Sequence, residues 1–112
     1  MHALEASLGH SFSSPALLEE ALTHPSVAYE SHRHQISNQR LEFLGDAVLQ
    51  LILTDFLYSA FPEFDEGTLT KLRARVVSRP ALAAAALRLD LGKHLVMGRG
   101  EAACGGRERA ST

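Results

Sequence analysis

Two carboxylates on one predicted helix have the clearest chemistry in this chain. Glu42 and Asp46 are four positions apart, and a helix advances about 100° per residue, so the two side chains share a face one turn apart. Gln39 lies on the same face, within roughly 60° of both. Like charges at this spacing repel, and a divalent cation such as Mg²⁺, which prefers oxygen ligands, would offset the repulsion. The alternative is an ordinary solvent-exposed strip of the helix.

The helix that must position these acids is the longest apolar-rich segment of the chain. The pattern predicts helix over residues 38–60, with Ser37 or Asn38 as a cap and Phe61-Pro62 as its end. Apolar residues occupy most positions all round the helix, which predicts burial, or packing against two partners at once. Gly45 costs about 0.5–1 kcal/mol relative to alanine in mid-helix, which predicts a close approach by another segment.

Other segments also have helical signals, and no strand-like alternation of useful length occurs, so the predicted fold class is all-α. The further predicted helices cover residues 15–23, 67–77 and 81–91. A serine before Pro15 caps the first of them, and Asp65 or Thr68 caps the second. Ser78 starts the third, and Gly92 is its expected C′ residue.

Composition indicates one globular domain or part of one. The chain has 112 residues, of which 46% are hydrophobic, enough for one modest core. Its net charge is −2, from 11 basic and 13 acidic residues, so affinity for nucleic acid would need local basic patches or a bound metal. No uncharged apolar run of 18 residues and no secretory signal occur, so neither a membrane span nor a membrane partner is predicted. The single cysteine, Cys104, fits a reducing cytosol and is expected to be a loop thiol.

Two further groups of side chains have both functional and ordinary interpretations. His32 and His34 are either metal ligands or solvated residues of a polar loop. Basic side chains at helical spacing form either a phosphate-contact strip or a solvated helix face; they are Lys71, Arg73, Arg75 and Arg79.

The stretch that carries the two acids resembles the signature of the ribonuclease III endonucleases. It reads Asn38-Gln39-Arg40-Leu41-Glu42-Phe43-Leu44-Gly45-Asp46-Ala47-Val48-Leu49, where the family has Asn-Glu-Arg-Leu-Glu-Phe-Leu-Gly-Asp-Ser/Ala-Val/Ile-Leu. Shorter stretches between Phe12 and Thr112 are also similar to the family: Ala21-Leu22-Thr23-His24-Pro25-Ser26, Phe61-Pro62, Asp65-Glu66-Gly67, Lys71-Leu72-Arg73-Ala74, Leu91-Gly92, and Gly98-Arg99-Gly100-Glu101 through Gly105-Gly106.

The resemblance implies an all-helical, homodimeric catalytic domain. Such a domain hydrolyses phosphodiester bonds of double-stranded RNA with Mg²⁺, or Mn²⁺ in its place, and leaves a 5′-phosphate and a 3′-hydroxyl. The implied setting is processing of rRNA, mRNA and tRNA precursors in the cytoplasm. By position, Glu42 resembles the family's first metal-binding carboxylate and Asp46 its catalytic aspartate at the same metal. Glu66 and Glu101 fall on further acids of the active-site valley, with supporting roles in RNA contact or metal organisation.

Two departures from the family affect these expectations. Gln39 stands where the family usually has glutamate, which favours an outer-sphere or RNA-contact role for it. Residues 1–112 are expected to be the N-terminal part of the catalytic domain, without the helix that supplies another aspartate and glutamate and without the double-stranded-RNA-binding domain. Weak Mg²⁺ binding and little or no cleavage are therefore predicted. The alternatives are a catalytically inactive dimerisation or RNA-docking module of the family, and a plain helical interaction domain.

Overall fold

Helices make up most of the computed structural model, which describes residues 2–27 and 37–109. In these residues the α-helices are α1 (Ala3–Leu8), α2 (Pro15–Ala21), α3 (Gln39–Ala60), α4 (Glu66–Val76), α5 (Arg79–Arg88) and α6 (Arg99–Ala103), with 3-10 helices at Leu91–His94 and Gly106–Glu108. The described ranges contain no strand, only an isolated parallel β-bridge between Thr23 and Val96. The predicted all-α class is confirmed.

Local sequence explains where most of the helices begin. First-turn backbone N–H groups donate to side-chain oxygens of Ser14, Asp65 and Ser78 at 3.4, 2.8 and 3.3 Å, as the cap patterns predicted. Helix α3 is different, because its N-cap residue Asn38 makes no side-chain cap. The Asn38 amide instead donates to the carbonyl of Ala21 at 3.3 Å, so the start of α3 is tied to the end of α2.

Gly92 is not the C′ residue of α5, and that prediction is wrong. Helix α5 ends at Arg88, and the left-handed residue that follows it is Asp90, with φ 53°. Gly92 lies in the 3-10 helix, where a Cβ atom would overlap the backbone carbonyl of Arg107. Close approach of another backbone, rather than helix termination, is therefore what requires glycine there.

The buried core is small and lies on the N-terminal helices. Leu4, Leu18 and Leu22 form its centre, and the partly buried side chains around it are Phe12, Leu91 and Leu95. The Cα radius of gyration is 16.2 Å, larger than the roughly 13 Å of a compact domain of this length. Helices α3 and α4 pack on each other outside this cluster, and the Arg73 guanidinium donates to Thr54 Oγ1 at 2.7 Å across them.

Burial of α3 on all sides was predicted, and within this chain that prediction is wrong. Leu57 is the one residue of the helix that is buried. Nothing lies within 4 Å of a Cβ built on Gly45, so no described segment makes the predicted close approach. Large apolar side chains are 46–84% exposed along the helix; this apolar surface of α3 comprises Phe43, Leu44, Val48, Leu51, Ile52, Phe56 and Tyr58. A patch of this extent usually marks an interaction site.

By length and composition alone, α3 could also cross a membrane. It is the one helix of the described ranges that has these properties, and 6% of its apolar window is buried. Asp46 and Asp55 interrupt the apolar run, so no stretch of 18 residues in α3 is both apolar and uncharged. Length and composition are weak evidence for a span, because core helices of soluble proteins share them.

Candidate active site

Glu42 and Asp46 lie on the side of α3 that packs against α4, but beyond the end of α4. Steps of about 100° per residue put them on the same side of the helix as Leu53 and Leu57, which are half-buried and buried. Helix α4 returns along this side but ends at Val76, so both acids are exposed. The fold thus presents the two carboxylates to solvent beside a structured surface.

The two carboxylates have no ion-pair or hydrogen-bond partner among the residues that the structure describes. The ion pairs found there join Lys93 to Asp90 at 3.1 Å and Arg109 to Glu101 at 2.9 Å. Mg²⁺ is usually held by one or two carboxylates, with water or phosphate oxygens completing its shell. Two adjacent carboxylates that no lysine or arginine of residues 2–27 and 37–109 neutralises therefore fit such an ion.

Glu66 lies far from this pair. It is the first residue of α4 and is exposed, and the short 61–65 connection keeps it near the C-terminal end of α3. Glu42 and Ala60 are separated by about 27 Å along the helix axis, at about 1.5 Å per residue. The structure therefore does not bring Glu66 to the two acids.

Gln39 lies about one turn before Glu42 on α3, and Glu101 lies on another helix. Glu101 lies on α6, and its carboxylate is engaged by the Arg109 guanidinium. Gln39 lines a shallow depression together with Glu20, on the α2 side of α3. Across residues 2–27 and 37–109, no group of three His, Cys, Asp or Glu side chains could hold a metal ion. The site described by this structure is thus a two-carboxylate site.

A cavity of about 670 Å³ opens beside Glu42. Besides Glu42, its lining combines apolar side chains of α5 with charged residues of both signs: Arg79, Asp90, Lys93, Arg107, Glu108 and Arg109. Sequence reasoning missed Arg107, whose guanidinium donates to the carbonyls of Gly92, at 2.9 Å, and Leu95. No local pattern signals such a contact, because the acceptors lie 12 and 15 positions away.

The predicted basic strip is divided between two helices. Arg79 is the first residue of α5 and lines the cavity, so it does not continue the row of α4. Arg73 packs against α3 through its bond to Thr54 and does not belong to a solvated strip. Lys71 and Arg75 remain exposed on α4, which leaves them available for phosphate contact.

The remaining sequence candidates add nothing to this site. His32 and His34 lie outside the described residues. Cys104 is free and exposed directly after α6, as expected of a loop thiol.

Comparison with known proteins places the chain beside one family. A family model described as Ribonuclease-III-like matches residues 14–112. The chain is 54% identical over 109 residues to the Ribonuclease 3 of Desulforamulus reducens and 53% identical over 109 residues to that of Pelotomaculum thermopropionicum. These matches cover 96% of this chain but 44% and 45% of the two relatives, so the chain spans about half the length of the curated relatives it matches.

The fold is similar to a solved nuclease domain. The match is to the nuclease domain of ribonuclease III from Campylobacter jejuni, with a TM-score of 0.87 and 42% sequence identity. It covers 96% of this chain and 72% of that chain. That structure is described as showing flexibility in a region involved in dimer formation.

Proposed function

Because the chain belongs to the ribonuclease III family, we propose that it forms part of an endonuclease that hydrolyses double-stranded RNA. The cut would leave a 5′-phosphate and a 3′-hydroxyl, and the substrates would be rRNA, mRNA and tRNA precursors in the cytoplasm. The observation that carries the proposal is the exposed pair Glu42 and Asp46 on one face of α3, which has no ion-pair partner in the part of the chain that the structure describes. Both acids lie inside the stretch that resembles the family's signature.

Each predicted site residue has a role that fits its place. Glu42 and Asp46 would hold Mg²⁺, or Mn²⁺ in its place, on the exposed face of α3. When bound, the ion supplies Lewis-acid polarisation of the phosphodiester and charge stabilisation for the leaving oxygen. The Gln39 amide can donate to and accept from a 2′-hydroxyl. Glu101 is a supporting acid beside the cavity, and Glu66, at the other end of α3, would contact RNA.

Local charge would compensate for the weakly acidic composition. The net charge of −2 gives no general attraction to RNA. Arg79, Lys93 and Arg107 nevertheless surround the cavity that Glu42 lines. Phosphate contacts position a duplex without reading its sequence, so these side chains would hold the backbone beside the two acids.

A second copy of the chain is the proposed occupant of the apolar surface of α3. Its seven large side chains are at least 46% exposed in the single chain, and covering them would remove the cost of keeping them in water. The Campylobacter jejuni nuclease domain is described in terms of dimer formation. This likeness favours a homodimer over a membrane as the environment of α3.

A non-catalytic dimerisation or RNA-docking module of the same family is the second candidate. It is favoured by Gln39 in place of the usual glutamate, and by the lack of a third metal-ligating group at the pair within the described residues. Both candidates predict binding of duplex RNA. On this chain they differ in metal binding.

A metal titration and a cleavage assay on this chain test the proposal. The variants are Asp46→Asn and Glu42→Gln, with Asp55→Asn as a matched control, because Asp55 is exposed and lies about 180° from Asp46 and about 140° from Glu42 around the same helix. We expect weak Mn²⁺ and Mg²⁺ binding that both site variants lose and the control keeps. Little or no cleavage is expected, because Gln39 stands where the family usually has glutamate and no third His, Cys, Asp or Glu side chain joins the pair within the described residues.

Each other outcome has a definite meaning. Metal binding that survives in both site variants would place the ion elsewhere and overturn the site. A chain that binds duplex RNA but no metal would favour the non-catalytic module. Robust Mg²⁺-dependent cutting that Asp46→Asn abolishes would show that these two acids suffice for the reaction.

A further inference from the structure

One short turn holds the starts of both helices that carry acids near the cavity. It consists of residues 22–26, here called the 22–26 turn, and it lies in a stretch that resembles the family but has no role in the proposed function. On one side, the backbone N–H of Asn38 donates to the carbonyl of Thr23 at 2.9 Å. Asn38 is the N-cap of α3, so the turn fixes the helix end from which Glu42 and Asp46 extend.

On its other side, the same turn holds the segment that leads into α6. The backbone N–H of His24 donates to the carbonyl of Val96, and the N–H of Val96 donates to the carbonyl of Leu22, each at 2.8 Å. The N–H of Gly98 then donates to Ser26 Oγ at 2.8 Å. Gly98 is buried and is the N-cap of α6, and Glu101 lies one turn further along that helix.

The Ser26 hydroxyl is itself oriented by His24. Because Oγ accepts from Gly98, its hydrogen is left to donate to His24 Nδ1, which lies 2.9 Å away. The Ser26 backbone N–H donates to the same nitrogen at 3.1 Å. His24 Nδ1 therefore acts as an acceptor, with the ring proton on Nε2.

Helix α6 depends on this anchor for its position. It has five residues, too few to be stable without tertiary contacts. The Arg109 guanidinium then pairs with Glu101 at 2.9 Å and also lines the cavity beside Glu42. A shift of Gly98 would thus move Glu101 relative to the acids of α3.

We propose that His24 and Ser26 are positioning residues which, by holding Gly98 on the turn that also binds Asn38 through the Thr23 carbonyl, set the separation between Glu101 and the Glu42–Asp46 pair. This role rests on the proposed function of that pair as a metal site. It does not place His24 or Ser26 in contact with metal or RNA. If these hydrogen bonds only stabilised the fold, substitutions at His24 and Ser26 would lower stability without changing the separation between α3 and α6.

Amide hydrogen exchange followed by NMR tests the anchor itself. The disruptive variants are Ser26→Ala and His24→Ala. Two conservative variants keep the required groups: Ser26→Thr keeps the hydroxyl, and His24→Asn keeps an acceptor oxygen. Ser7→Ala, on the exposed face of α1, is the control. Loss of one hydrogen bond is expected to speed exchange of the Gly98 amide by about tenfold in the disruptive variants, with recovery in the conservative ones.

Paramagnetic broadening by Mn²⁺, recorded on the same samples, tests the positioning role. In the unsubstituted chain we expect broadening of the amides at Glu42 and Asp46 and also at Glu101. Ser26→Ala and His24→Ala should keep it at the α3 acids and weaken it at Glu101, and the conservative variants should restore it.

The outcomes separate this inference from the function on which it rests. Equal broadening at Glu101 in all variants, or none there in the unsubstituted chain, would overturn the positioning role while leaving the metal site intact. Unchanged Gly98 exchange in Ser26→Ala would also overturn it. Absence of broadening at both α3 acids in the unsubstituted chain would overturn the proposed metal site, and the positioning role with it.

Discussion

Glu5 shows how a single residue can link stability to pH. Its side chain is 8% exposed, within the small core. One carboxylate oxygen accepts from the backbone N–H of His2 at 2.6 Å and the other from that of Phe12 at 2.8 Å. These two hydrogen bonds hold the pKa of Glu5 below its ordinary 4.5, and the bond from His2 has the larger effect. Burial acts to raise the pKa, but by less. The ionised form is thus the one that the fold stabilises.

The pH dependence follows from the direction of this shift. A carboxyl group with a lowered folded-state pKa stabilises the fold above its unfolded pKa, and this stability is lost as the pH falls through the folded pKa. We expect Glu5→Gln to lower the free energy of unfolding at pH 7 and to weaken the loss of stability below pH 4.5. Urea unfolding at several pH values measures this, with the exposed Glu19→Gln as control. Parallel pH profiles for the unsubstituted chain and Glu5→Gln would contradict the prediction.

At the scale of elements, the junction between α4 and α5 depends on one residue, Ser78. Its hydroxyl oxygen accepts from the backbone N–H of Ala81 at 3.3 Å, and its hydrogen is donated to the carbonyl of Arg75 at 2.9 Å. One side chain therefore caps α5 and satisfies a carbonyl at the end of α4. Ser78→Ala should lower the free energy of unfolding by about 1 kcal/mol.

Ser78→Thr is the matched control for this junction. Threonine keeps the hydroxyl and is also an effective N-cap, so it should recover most of the lost stability in the same urea unfolding experiment. If threonine were as destabilising as alanine, the effect would arise from packing at the junction rather than from the hydroxyl.

The shape of the whole molecule predicts self-association. A chain with a radius of gyration of 16.2 Å and an exposed apolar surface on its longest helix should pair with a second copy. We expect sedimentation to show a dimer whose fraction, like the melting temperature, rises with protein concentration. Leu51→Glu should give a monomer, because it places a charge in the centre of that surface.

Leu87→Glu is the control for surface position. Leu87 lies on α5 and is 71% exposed, whereas Leu51 is 69% exposed, so the two changes are alike in chemistry and exposure. Only the change on α3 should prevent dimerisation. If Leu51→Glu dimerised as well as Leu87→Glu, the apolar surface of α3 would not be the interface.

The sequence by itself determined the local structure and the family. The helices predicted at 15–23, 38–60, 67–77 and 81–91 differ from α2 to α5 by no more than three residues at any end. Hydrogen bonds within a helix and at its caps join residues a few positions apart, so the sequence contains this information directly. The resemblance carried by the stretch around Glu42 and Asp46 was confirmed by the comparisons. The short helix α6 lies outside every predicted helix.

Only the tertiary structure decided which faces and side chains meet. Periodicity identified the residues of α3 that share a face, but it could not show that the apolar surface stays uncovered in one chain. Gly92 is required by the close approach of the Arg107 backbone, and the Gly98 N–H donates to Ser26 Oγ. Both contacts join segments that are distant along the chain. Glu66 is kept from the two acids by the antiparallel return of α4, and the Glu101 carboxylate is engaged by Arg109. Such relations depend on where the chain folds back, which spacing along the sequence does not encode.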